Sequence, residues 1–206
     1  MERTVERSWE AILGWFEESS PAERPGFRGP AAEEDLRAVE QATGRSLPAD
    51  QLAWWRLSDG TEENGPVPSL IPVVWAPASV AYALHRHRMR TKDLDRYFPS
   101  MRELDDEPAG TAADIPWLPS WLPVAHDLGG SHLFLDLREG PQHGCVGKMD
   151  REDISFGGPV WSSVTDMLAE VADALVNGTD IGRRRAVVED GRLNWLLDPQ
   201  RHSTGH

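Results

Sequence analysis

The sequence predicts an α+β fold, with a curved, mostly antiparallel or mixed sheet flanked by N-terminal helices and a C-terminal helix. Three observations carry this. Helical stripes fill the chain before Gly60, short strand patterns gather between Ser131 and Phe156, and one further helix precedes a hairpin. The strand–helix–strand alternation of a doubly wound fold does not occur.

Val5, Trp9, Ile12, Leu13 and Phe16 share one face, so residues 4–18 form an amphipathic helix. Residues 19–30, with three prolines and two glycines, form a loop. A second helix spans 31–43. Glu33, Glu34 and Asp35 sit in its positive first turn, Leu36 and Val39 face inward, and Gly44 stops it. Pro48 suits the first position of a third helix carrying Leu52, Trp55 and Leu57, which Asp59-Gly60 ends. Trp54 adjoins Trp55, so the two are not both expected to face fully inward.

Residues 61–69 form a loop and Ile71–Trp75 a short apolar strand. Pro77 is expected to open a fourth helix with Val80, Ala81 and Leu84 on one face and a polar, basic distal end. Residues 99–122 read as a proline-rich insertion or covering loop. Strands follow at 131–137, 144–148 and 153–156, and Ser163 begins a helix reaching Val176. That helix buries Val164, Met167, Leu168, Val171 and Leu175. Asp190-Gly191 between two apolar runs marks a hairpin at 186–196. The expected organisation is one domain over 1–182. Residues 183–206 form a hairpin and frayed tail packed on it.

The 206 residues carry a net charge of −13, which argues against a nucleic-acid binder and against adsorption to an anionic membrane. The charge is uneven. Residues 1–64 hold seven basic and fourteen acidic side chains, whereas residues 65–100 hold five and two. Charges interrupt the N-terminal stretch, so no secretory signal is expected, and the longest apolar run, Leu70–Pro77, is far too short to span a bilayer. The expected compartment is the cytoplasm. A single cysteine, Cys145, excludes a disulfide within the chain and sits in a strand pattern that suits a buried thiol.

No phosphate-loop, dinucleotide, nucleophile-elbow or zincin motif occurs, and no cofactor is expected. The densest set of potential ligands is His126, Asp127, His132 and Asp136. In a strand, however, His132 and Asp136 lie about 13 Å apart, too far to share one ion. His85 and His87, interleaved with Arg86, Arg88 and Arg90, read either as a solvated basic face or as a contact for an acidic partner, including a second copy. Trp117 and Trp121 either fold back onto the core or mark a binding surface.

Glu34–Gly60, EDLRAVEQATGRSLPADQLAWWRLSDG, resembles the SUKH superfamily, also called the Smi/Knr type. The matching features are Leu36, Val39, Glu40, Gly44, Leu47-Pro48 and Asp59-Gly60. PVAHDLGGSHLFLDL at 123–137 and Gly144-Cys-Val-Gly-Lys resemble the family's two core strands. The resemblance implies a binding protein with no catalytic residues. Bacterial relatives are immunity proteins that neutralise toxins, often nucleases or deaminases, and fungal relatives are linked to cell-wall control. The expected partner is therefore a protein such as a basic toxin, with a stand-alone regulatory module as the alternative and an enzyme built on the His126 cluster as a third reading. It further implies contacts on the concave sheet face and the loop after the third helix. There Asp59, Glu62, Glu63, Asp127 and Asp136 are acidic candidates, and Trp54 and Trp117 aromatic anchors. Otherwise the acids are simply solvated.

Overall fold

The computed structural model describes residues 3–62, 69–92, 94–98, 101–152 and 155–197; Glu63 and the tail Arg201–His206 lie outside them. Helix α1 (Val5–Ser19) starts at Thr4, whose hydroxyl accepts the Arg7 N–H, and buries Val5, Trp9, Ile12 and Phe16. Helix α2 (Glu33–Thr43) ends on left-handed Gly44. Glu40 then accepts the Leu47 N–H at 3.0 Å, which fixes the corner into α3 (Ala49–Leu57). Pro48 occupies the capping position, one residue earlier than expected. Both tryptophans of α3 are buried, contrary to expectation, because the helix is wedged between two neighbours. Trp54 meets the Trp9 ring edge-on at 6.0 Å, while Trp55 donates its indole N–H to Ala78 O at 3.1 Å.

Ile71–Trp75 is not a strand of the sheet. Ile71 and Trp75 exchange both backbone hydrogen bonds at 3.0 Å, folding the run into a turn with Val73 and Val74 exposed at its tip. The sheet strand is β1 (Ala76–Pro77), where Pro77 is tolerated because β1 lies at an edge. Helix α4 (Val80–Thr91) therefore begins later than expected, capped by Ser79. Its buried face is Val80, Ala83 and His87, while Ala81 is exposed.

Short helices α5 (Leu94–Tyr97) and α6 (Met101–Asp105) and strand β2 (Ala113–Asp114) follow. Strands β3 (Trp121–His126), β4 (His132–Asp136) and β5 (Cys145–Met149) complete a sheet of order β1-β3-β4-β5. All of its described pairings are antiparallel, which removes the mixed alternative. Strand β6 (Ser155–Phe156) pairs with β2, helix α7 (Val164–Asn177) packs on α1 with the expected stripe buried, and β7 (Arg184–Glu189) and β8 (Arg192–Leu197) form the hairpin. Cys145 is buried, and burial pushes its thiol up to about 12. Among the described residues no helix is long and apolar enough to cross a membrane.

The sheet is buried on both faces. Side chains alternate along a strand, so Leu133 and Leu135 join the helical core of α1, α3 and α7. Phe134 points the other way, into a second cluster with Trp117, Trp121, Met149 and Phe156. Trp121 stacks on Phe134 at 4.4 Å, and Trp117 meets Phe134 at 5.6 Å. Leu94, Met101, Ala113, Ile115 and Leu118 close this cluster from outside. The proline-rich stretch is thus a cover over the sheet.

Arg138 fastens that cover. It is fully buried with Asp136, to which it donates from Nε (3.0 Å) and Nη2 (2.7 Å). Nη1 reaches Leu104 O at 3.1 Å and Nη2 reaches Thr111 O at 2.8 Å, while Gly110 N–H donates to Asp136 Oδ2 at 2.9 Å. The C-terminal hairpin is held separately. Glu23 accepts from Ser20 Oγ (2.9 Å) and Leu193 N–H (2.8 Å), and Trp195 donates to Ser69 O at 2.8 Å.

Removing one member of a buried ion pair strands the other, at a cost of about 3–5 kcal/mol. R138M is expected to lose stability in that range in urea denaturation. D136L/R138M is expected to regain only part of it, because Thr111 O, the Gly110 N–H and the backbone N–H of position 138 lose their partners in the double variant.

Candidate functional site

Two regions collect the polar residues the sequence singles out. The first is the corner after α3. Asp59 Oδ1 accepts the Val80 N–H at 2.7 Å, the first orphan donor of α4, and Oδ2 lies 3.4 Å from Arg28 Nη2. Burial raises the Asp59 pKa, with Val80 and Arg28 opposing it and Asp35 adding to it. Gly60 (φ +73°) lies so close to the α4 entry that a Cβ would fall 2.4 Å from Ser79 N. Thr61 Oγ1 donates to Pro77 O and Ser58 Oγ to Arg28 O. Asp59-Gly60 is therefore a clamp between the end of α3 and the start of α4.

Around this clamp the surface is acidic. Glu33, Glu34 and Asp35 in the first turn of α2 are exposed, as is Glu62. Arg56 donates to both oxygens of Glu33, at 2.6 and 2.9 Å. Among the described residues no basic side chain lies within 4.0 Å of Glu34, Asp35 or Glu62. Glu34 and Asp35 read in the sequence as helix-dipole partners. The proximity of Asp35 to Asp59 needs the α2–α3 corner and is not visible in one dimension.

The second region lies where α4 crosses the β3–β4 end of the sheet. Asp127 closes that turn by accepting from Gly129 N–H (2.7 Å) and Ser131 N–H (3.0 Å). Burial raises its pKa, but these bonds outweigh it and hold the carboxyl below its usual value. His126 and His132 are cross-strand partners. The Tyr82 ring stacks on His126 at 4.3 Å, and its hydroxyl lies 3.2 Å from His132 Nε2. Arg86 Nε is 3.4 Å from the same nitrogen, and Arg90 Nη2 is 3.2 Å from Nδ1. Arg90 also donates to Gly130 O at 2.7 Å and lies over the Trp117 ring at 4.8 Å.

The distal half of α4 is therefore a solvated basic face only in part, at His85 and Arg88. His87 is buried, its Nε2–H donating to Pro119 O at 2.7 Å, and Arg86 and Arg90 are half-buried. Sequence periodicity could not reveal this, because the covering partner is a sheet end forty residues away.

His132 is held neutral: arginine can only donate, and arginine N–H groups approach both of its ring nitrogens, Arg86 at Nε2 and Arg90 at Nδ1. Burial, then Arg90 and Arg86, lowers its pKa to about 3. Burial likewise lowers His126 and His87.

Of the residues expected at a contact surface, Asp59, Glu62 and Asp127 retain exposure, whereas Trp54, Trp117 and Asp136 are buried. The two indoles fill the helical core and the covered sheet face, and Asp136 is consumed by Arg138. Glu63 lies outside the described residues. Asp136 stands at the far end of β4 from His132. Among the described residues no three His, Cys, Asp or Glu side chains are placed to share an ion.

The model of the SMI1 / KNR4 family (SUKH-1) matches residues 30–170. No curated protein matches the chain.

Because His132 binds a proton more readily unfolded than folded, its contribution to stability is fully present above about pH 6.5 and is lost as the pH falls from there toward about 3, with His126 and His87 adding losses of the same sign. H132Q is expected to flatten the difference between urea midpoints measured at pH 7 and pH 5.

Proposed function

The chain belongs to the SMI1 / KNR4 family (SUKH-1), whose domains are of immunity and regulatory type and interact with other proteins; from that premise we propose that it is an immunity-type protein. It binds a cationic protein toxin and neutralises it by occlusion, with no reaction of its own. The observation that supports this reading is the uncompensated acidic corner. Glu34, Asp35 and Glu62 are exposed and unpaired among the described residues, on a scaffold that Asp59-Gly60 holds rigid. A rigid single-sign patch accelerates encounter with an oppositely charged partner. Asp59 contributes charge to the corner, and Asp127 is a separate acidic contact at the β3–β4 turn.

The test uses the protein encoded by the adjoining gene. Co-expression is expected to protect cells from it, and purified proteins are expected to associate quickly at low salt. E34Q/D35N/E62Q is expected to slow association about tenfold at low ionic strength while changing dissociation little, as electrostatic steering requires. A chain that neither protects against nor binds any adjacently encoded protein would sink the proposal.

A further inference from the structure

The α4–β4 crossing holds an excess of hydrogen-bond donors that nothing in the described chain accepts. A neutral His132 offers one ring nitrogen as acceptor, yet Arg86 Nε–H (3.4 Å) and the Tyr82 hydroxyl (3.2 Å) both meet Nε2 and Arg90 Nη2 meets Nδ1 (3.2 Å), so the ring cannot satisfy all three donors. Arg90 spends Nη2 on Gly130 O and His132, but its Nε is buried without a partner. Tyr82, Arg86 and Arg90 recur every four residues on one helical face, and all three are half-buried.

The charge is as unbalanced as the bonding. Arg86 and Arg90 repel each other, and among the described residues neither has a carboxylate within 4.0 Å. His132 cannot help, since its neutral form is the one the site demands. Among the described residues the carboxylate that acts on Tyr82, His126 and His132 is Asp127, which is already engaged in accepting the Gly129 and Ser131 N–H groups. Two guanidiniums and one carboxylate leave a single net positive charge.

We infer that Tyr82, Arg86 and Arg90 form an oxyanion site that takes a carboxylate. One negative charge balances the site, whereas a phosphate dianion would overfill it. A carboxylate's two oxygens can accept the fork of Arg86 together with the Tyr82 hydroxyl. The site does not depend on the identity of the protein's partner.

Acetate is the probe. The Nε–Hε NMR signals of Arg86 and Arg90 are followed during titration with sodium acetate, against sodium chloride at matched ionic strength. Saturable shifts with acetate and none with chloride are expected. R86Q, which breaks no backbone contact, is expected to weaken acetate binding about tenfold, and Y82F about threefold, as loss of a charged and a neutral hydrogen-bond donor would give. Amide spectra confirm that both variants remain folded. Shifts that fail to saturate, that chloride reproduces, or that survive both substitutions unchanged would overturn the site. Saturation by inorganic phosphate but not by acetate would overturn the assignment to a carboxylate.

Discussion

Arg138 is buried completely beside Asp136, and its guanidinium ends on acceptors from three separate stretches of chain. Taking such a pair out of water costs several kcal/mol per ion, which only good geometry and further hydrogen bonds offset. Here the offset comes from Leu104 O, Thr111 O and Gly110 N–H, all belonging to the segment that covers the sheet. The pair is stable only when the cover is in place, and the cover is located by the pair. The aromatic cluster of Trp117, Trp121, Phe134 and Phe156 then closes beneath it. The sheet face that resemblance to the family marked as a contact surface is thereby filled from within, and the exposed polar residues lie at the edges, at the α2–α3 corner and the β3–β4 turn.

The pieces of the chain that carry the family resemblance turn out to be joints. Glu40 holds Leu47, Gly44 ends α2, and Asp59 caps α4 while Gly60 lets two backbones touch. None of them needs to meet a partner to be required. The chemistry with freedom to act sits beside these joints, on residues such as Glu34, Asp35, Arg86 and Tyr82. Their identities affect the scaffold less than they affect the surface.

Much of the architecture was legible in the residues. The stripes of α1 and α7 announced themselves because each helix has one wet face, Ser163 caps α7, and Asp190-Gly191 supplies the two positive-φ residues of a tight hairpin. What failed did so for identifiable reasons. Leu70–Pro77 is uniformly apolar, so it has no period to separate a strand from a folded-back turn. Trp54 and Trp55 defied a one-face rule because α3 is covered from two directions. Arg138 follows Asp136 by two residues, a spacing that in sequence looks like an exposed strand end. Its burial depends on Leu104 and Thr111, which only the folded chain brings near. The Tyr82–Arg86–Arg90 arrangement was half visible, as a basic helical face, but the histidine it encloses lay on another element.

Glu23 and Leu193 meet across 170 positions of sequence, and α1 finds its main neighbour in α7. During synthesis the first helix emerges with an apolar face that Phe27 and α3 cover only in part until α7 has been made. Its partners must be brought together by closing nearly the whole chain, the slowest kind of contact to form. The helical layer therefore behaves as a seal rather than a seed. The nascent chain carries the α7-facing side of this helix uncovered until then, which makes that interval the one in which the protein is most exposed to aggregation.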